Sequence, residues 1–328
     1  MKEKQEQILK KSANASGSAP ANEDKGKSVK GSRKRGFTLL IISLILVIAS
    51  SFYTGWAKQS TYQESRLIGA ELDSVKLKIS KIESGKEEGN LENLKHTKDS
   101  LSNEKLRLER PYSFGLTVLF LAIALLIKGL YNALIGVHPS QAIDTKRLAM
   151  AGLMAALCYV GFAFFKIDIP VGTEKTAFHL GNVFCVLAAL LMGGYLGGLA
   201  GAVGMTIGDL TTAYVTSAPK TFLLKLLIGL IAGLVAHKIF KLNEAHSKKY
   251  VVGVTILSSI CGMAFNVVAD PTVGYFYKIY VLGIPQEIAS VFAKMTALTT
   301  SVNAVVAVIA STVFYLALRP ALKKTGLL

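Results

Sequence analysis

The chain has 328 residues, of which 51% are hydrophobic and only 18% charged, and its mean hydropathy is +0.44; soluble domains carry about 25% charged residues, so an ordinary water-soluble fold is excluded. Lys and Arg outnumber Asp and Glu by 37 to 21, but the excess lies in tails and loops between apolar runs, not on the continuous basic face of a nucleic-acid-binding protein. Cys158, Cys185 and Cys261 are scattered singly inside apolar runs, which excludes a disulfide scaffold and gives no metal-ligand spacing.

Residues 1–36 hold ten Lys/Arg against four Asp/Glu and are rich in Ser, Gly, Ala and Asn. Such a segment cannot bury enough apolar surface to fold, and a disordered basic tail is predicted. Arg33-Lys34-Arg35 ends it, directly before an apolar run from Phe37 to Trp56 that has the length of a bilayer span. The tail is too long for a signal peptide and no small-residue cleavage site follows the run. The positive-inside rule puts the tail in the cytoplasm, with Phe52, Tyr53 and Trp56 at the far interface.

Residues 57–112 carry eleven basic and ten acidic residues and no run long enough to span. Ile68, Leu72, Val75, Ile79 and Ile82 follow the 4, 3, 4, 3 spacing of a heptad seam, and Leu94, Leu101 and Leu108 recur every seven residues beyond Gly85–Asn90. An extracytoplasmic antiparallel coiled-coil hairpin fits this pattern; an intermolecular coiled coil fits it nearly as well. A partner-binding stalk and a solvated spacer are equally compatible with it. A second span, 113–137, returns the chain to the cytoplasm.

Six further apolar stretches lie near 146–165, 178–193, 195–214, 219–240, 250–269 and 286–318. The 237–249 loop has Lys238, Lys241, Lys248 and Lys249 against Glu244, and the C-terminal end has Arg319, Lys323 and Lys324. Both are predicted inside, and the charge-balanced loops 166–177 and 270–287 outside. This gives eight spans with both termini cytoplasmic.

Residues 193–208, GGYLGGLAGAVGMTIG, hold seven glycines in sixteen positions, with Gly193, Gly197 and Gly201 four apart. Small faces at this spacing let helix backbones approach closely in lipid. A small-residue helix (AMAGLMAALCYV, 149–160) precedes a proline-containing loop ending in FHLGN (178–182). A glycine-rich pair ending in GDLTTAYVTSAPKTFLLK (208–225) comes next, followed by GLIAGLVAHKI (229–239). This order resembles the S component, the substrate-binding membrane subunit, of energy-coupling factor (ECF) vitamin transporters, in particular the riboflavin-type group. The resemblance covers about 145–322 and implies a six-helix substrate-binding domain; the tail, the two extra spans and the hairpin (1–36 and 37–137) lie outside it.

The resemblance implies an all-α membrane subunit that binds a vitamin or its precursor from outside and works with a transmembrane coupling subunit and two cytoplasmic ATPases, itself needing no cofactor. In agreement, no Walker A motif is present: Gly26-Lys27-Ser28 has Ala21 where the first glycine belongs. Family members dock the coupling subunit through small residues four apart on the first core helix. Ala151 and Ala155 match, with Gly152 and Ala156 as a second ladder; internal packing explains the same ladder.

Ionisable residues inside apolar spans are costly and therefore functional candidates. Asp209, Lys225 and Lys294 are three such residues, all predicted toward the outer half. Asp209 and Lys225 either neutralise each other or meet a ligand; Lys294 either contributes to the same cavity, pairs with Glu287, or snorkels to the interface. His179 and Asn182 open the second core helix just below the external loop, where His179 either hydrogen-bonds a ligand or caps the helix and meets interfacial water. With Asn266, whose amide needs a partner if buried, they complete the substrate-binding candidates His179, Asn182, Asp209, Lys225, Asn266 and Lys294. Tyr275 and Tyr277 are candidates to stack on a heteroaromatic ligand or to sit at the interface. An intramembrane enzyme is disfavoured, because no H-E-x-x-H, no G-x-S-x-G and no intramembrane carboxylate cluster is present. The remaining alternative is a membrane scaffold acting through the hairpin.

Overall fold

A computed structural model describes residues 21–135, 145–171 and 174–324; residues 1–20 of the expected tail and the connector 136–144 lie outside them. Helix α1, Ala21–Ala57, passes through a π-helical turn at Lys58–Tyr62 into α2, Gln63–Glu83. Residues 21–36, expected to be unstructured, belong to α1. Extending an existing helix fixes one residue per hydrogen bond, whereas a new one must first be nucleated.

Helix α2 ends in a Schellman motif. Gly85, at φ +70°, lets its N–H reach the Ile82 carbonyl at 3.0 Å and the Lys86 N–H reach that of Lys81 at 2.9 Å. Asn90 Oδ1 then accepts from the Asn93 N–H at 3.0 Å and caps α3, Leu91–Ile135. The two helices run antiparallel. Glu83 meets Lys95 at 3.2 Å, Tyr62 stacks on Tyr112 with ring centroids 4.5 Å apart, and Tyr53 meets Phe114 edge-on. Of the expected seam, Leu72, Val75 and Ile79 are buried, while Ile68, Ile82, Leu94, Leu101 and Leu108 are half-buried. The two arm helices are continuous with the two apolar runs, and Pro111 lies inside α3.

By contacts the chain forms two units, one of Met1–Leu46 with Ala122–Ala142, the other of Val47–Leu121 with Ile143–Leu328. In the second, α4 (Thr145–Ala163) leads into an antiparallel β-hairpin, β1 (Lys166–Val171) and β2 (Glu174–His179), in the register Lys166↔His179 to Val171↔Glu174. Then come α5 (Gly181–Met192), α6 (Gly194–Thr211), α7 (Ala218–Gly233), α8 (Lys248–Phe276) and α9 (Gln286–Lys324). Helix α6 packs against α4, α5 and α7; α8 packs between α7 and α9, and α9 closes onto α5 and β2.

The glycine stripe makes these contacts possible. A Cβ at Gly204 would overlap the Ala155 carbonyl on α4, and one at Gly229 would overlap the backbone of Gly198. The core between the helices is Val183, Val186, Leu187, Leu190, Ile228, Met263 and Ala307. Val268, Val305 and Ile309 point outward and are exposed, as lipid-facing residues must be.

Among the described residues six helical segments are long and apolar enough to cross a membrane: Phe37–Glu83, Leu91–Leu126, Thr145–Ala163, Val215–Ile239, Lys248–Val281 and Gln286–Lys324. The protein is an all-α multi-pass membrane protein. The count of eight spans included α5 and α6. Helix α5 has only 12 residues, about 18 Å of rise, because the chain before it is spent on β2 and Gly193, at φ +84°, ends it. The expected external loop 270–287 is also corrected: α8 and a π-helical turn at Tyr277–Val281 run through most of it. Pro271 lies inside α8 without ending it, as proline is tolerated within membrane-spanning helices.

Candidate ligand-binding site

One cavity lies under the β-hairpin, walled by α4–α9. The residues facing it follow helical spacing. Helix α9 contributes Phe292, Thr296, Thr299, Thr300 and Asn303; α7 contributes Lys220, Thr221, Leu224 and Lys225, each set lying on one face. Helix α5 supplies Asn182, α6 Met205 and Asp209, α8 Asp270, and β2 Thr176, Ala177 and His179.

Asn303 fixes the lid. Its Oδ1 accepts from the His179 N–H at 3.0 Å and its Nδ2 donates to the Ala177 carbonyl at 3.0 Å, so one side chain satisfies both backbone groups of the strand edge. Thr176 and Thr299 hydroxyls meet at 2.8 Å. Tyr214 closes the other side, donating to Asp168 Oδ1 at 2.8 Å; Lys166 pairs with Asp168 at 3.3 Å and stands over the Tyr214 ring. Burial and the Asp168 carboxylate push the Tyr214 phenol well above its usual range. His179, in the strand and outside the spanning helices, is held down to about 3 by burial and by the positive charge of Lys225, so its imidazole is neutral at physiological pH.

The floor is charged. Lys220 forms an ion pair with Asp270, whose other oxygen accepts from Thr300 at 3.2 Å. Lys225, 5% exposed, donates to Asn266 Oδ1 at 3.5 Å. Asp209, 3% exposed, makes no ion pair among the described residues; the Thr221 hydroxyl faces it. Four polar atoms of the wall, Asp209 Oδ2, Asn182 Oδ1, His179 Nδ1 and Thr296 Oγ1, have no protein partner among the described residues. Buried polar atoms are almost always satisfied, and here four converge on one space.

Of the six ligand candidates from sequence, His179, Asn182, Asp209 and Lys225 line the cavity. Asn266 reaches it through Lys225. Lys294 is exposed and points away, because it falls between Phe292 and Thr296, off the cavity face of α9. Tyr275 and Tyr277 do not line the cavity; Tyr277 is packed with Tyr62 and Tyr112.

Lys220 and Asp270 were missed. Asp270 is a lone acid in an apolar stretch, the signal that singled out Asp209, but the Asp270-Pro271 pair reads as a helix end. Ala151 is buried in the core, and Ala155 lies half-buried with its carbonyl under Gly204. Gly152 and Ala156, one residue along, are exposed, and a Cβ at Gly152 would meet nothing. The outward small face of α4 is therefore the second ladder.

Residues 142–320 match a family model described as ECF-type riboflavin transporter, S component. No curated protein and no solved structure matches the chain.

Proposed function

The chain belongs to the family of ECF-type riboflavin transporter S components, and from that premise we propose that its cavity binds riboflavin or a similar small heterocyclic vitamin or precursor from outside the cell. The family is one of membrane substrate-binding subunits, not of enzymes. The observation that carries the reading is the convergence of Asp209 Oδ2, Asn182 Oδ1, His179 Nδ1 and Thr296 Oγ1, without protein partners, on a cavity that Lys225 also enters. The Asp209 carboxyl and Asn182 amide oxygens accept hydrogen bonds, and the Nδ1 of the neutral His179 imidazole accepts or donates one according to its tautomer. The two oxygens fit N–H and O–H groups of a polar heterocycle, while the Lys225 ammonium and the Thr296 hydroxyl can donate to its acceptors.

On this reading the β-hairpin end of the bundle faces outward and both chain termini lie in the cytoplasm, where Lys238, Lys241, Lys248 and Lys249 follow the positive-inside rule. Energy comes from a coupling subunit and two ATPases, docked through the exposed Gly152 and Ala156 face of α4, whose small side chains permit close helix approach. Releasing the small molecule from purified protein and identifying it by mass spectrometry tests the ligand. Co-purification of ATPase and coupling subunits tests the partners; recovery of envelope-scaffold proteins alone supports the scaffold reading instead.

A further inference from the structure

The helical arm lies outside the family match, yet its base grips the domain that carries the cavity. Tyr62, buried in the π-helical turn between α1 and α2, donates its hydroxyl to the Leu282 carbonyl at 3.1 Å, and its ring packs with Tyr112, Leu116, Tyr277 and Leu282. One turn on, Arg66 donates to the Gly283 carbonyl at 3.4 Å. Gly283 adopts φ +66°, a conformation that side chains with a Cβ avoid, and a Cβ there would sit 3.2 Å from the Arg66 guanidinium. Both acceptors are backbone carbonyls of the short connector between α8 and α9. That connector folds back on itself through Leu282 N–H to Tyr277 O at 3.1 Å and Ile284 N–H to Lys278 O at 2.9 Å.

Lys278, in the same turn and 2% exposed, lays its ammonium 4.0 Å from the centroid of the Phe292 ring. Phe292 is the first cavity-lining residue of α9, one turn before Thr296. An unbroken chain of contacts thus runs from Tyr62 and Arg66 through 277–284 to the cavity wall. We infer that Tyr62 and Arg66 are positioning residues for the ligand cavity: the arm clasps the α8–α9 connector and holds Phe292 and Thr296 in place. The inference rests on the ligand-binding reading of the cavity. It makes the arm a working part of the site, not a spacer beside it.

The test is amide hydrogen exchange of the full chain in detergent, comparing wild type with Tyr62→Phe, Arg66→Ala and the double variant, together with riboflavin dissociation followed by flavin fluorescence. Tyr62→Phe keeps the ring packing and removes only the hydroxyl. Each lost hydrogen bond is expected to speed exchange at Leu282, Ile284 and the start of α9 about threefold, and the double variant about tenfold. Riboflavin dissociation accelerates in parallel, with the thermal midpoint of the bundle unchanged. Changing Glu83 and Lys95 at the far end of the arm to alanine leaves both readouts at wild-type values.

Unchanged exchange at 282–296 in the double variant overturns the clasp. Faster exchange with unaltered riboflavin dissociation overturns its role in the cavity. A melting temperature that falls in step with affinity assigns the pair to stability alone and also overturns the inference. Failure of the wild type to bind riboflavin counts against the ligand reading only; exchange at Phe292–Thr296, which needs no ligand, then decides the clasp.

Discussion

Lys225 and Asp209 face the same cavity but do not pair: Lys225 Nζ donates to Asn266 Oδ1 at 3.5 Å, and Asp209 Oδ2 has no partner among the described residues. Mutual neutralisation, one of the two readings open from sequence, is not the arrangement adopted. Lys225→Met is therefore expected to leave the thermal midpoint near wild type and weaken ligand binding on the order of ten- to a hundredfold, the worth of a hydrogen bond to a charged group at about 1.5–3 kcal/mol. Adding Asp209→Asn gains nothing. Thermal unfolding and ligand titration of the two variants check this, and recovery of affinity in the double variant would remove Lys225 from the site.

Lys220 and Asp270 behave oppositely, because they do pair. Lys220→Met strands the Asp270 carboxylate with only the Thr300 hydroxyl, and removing one partner of a buried pair costs about 3–5 kcal/mol. Lys220→Met with Asp270→Asn restores most of that loss. A double-mutant cycle on unfolding measures the coupling; additive losses in the cycle would refute a structural pair.

Asn303→Leu removes both hydrogen bonds to β2 while nearly keeping the side-chain volume. The His179 N–H and the Ala177 carbonyl lose their partner, at about 1 kcal/mol or more each, and the strand loosens from α9. Lys175, exposed in β2, then becomes the reporter: trypsin should cut there several-fold faster than in wild type, while cutting in the arm stays at the wild-type rate.

The two ladders on α4 separate by a tryptophan scan. Gly152→Trp adds bulk where a Cβ meets nothing, so folding and ligand binding persist while uptake in cells with the coupling module is abolished. Ala151→Trp forces a large ring into the core beside Met154 and Val183, an overpacking that lowers the yield of folded protein. Normal uptake by Gly152→Trp would show that the coupling subunit docks elsewhere.

Six of the eight expected spans, the burial of Leu72, Val75 and Ile79 and the close packing of the glycine stripe were legible from periodicity and residue size. The β-hairpin was legible only in its first strand, where Ile167, Ile169 and Val171 alternate with Lys166, Asp168 and Pro170; 174–179 has no such alternation, and its placement depends on Asn303, more than 120 residues away. Asp270 falls at the end of the apolar stretch 250–269, so hydropathy alone puts it in a loop, whereas α8 continues through it to Phe276. Lys294 carried the same intramembrane signal as Lys225, but which side of a helix faces a cavity is set by packing against neighbours. The grip of Tyr62 on Leu282 spans 220 residues, and no local pattern announces it.

The backbone contact of α6 with α4 on one side and α7 on the other has a mechanical consequence. Gly204 sits on the Ala155 carbonyl, and Gly198 on Gly229, with no side chain between them to change rotamer. Close-packed interfaces of this kind shift as rigid bodies if they shift at all. These three helices thus form the stator of the molecule. The β-hairpin, by contrast, is tied to α9 through the hydrogen bonds of Asn303 and Thr299, bonds that can open without disturbing the three helices.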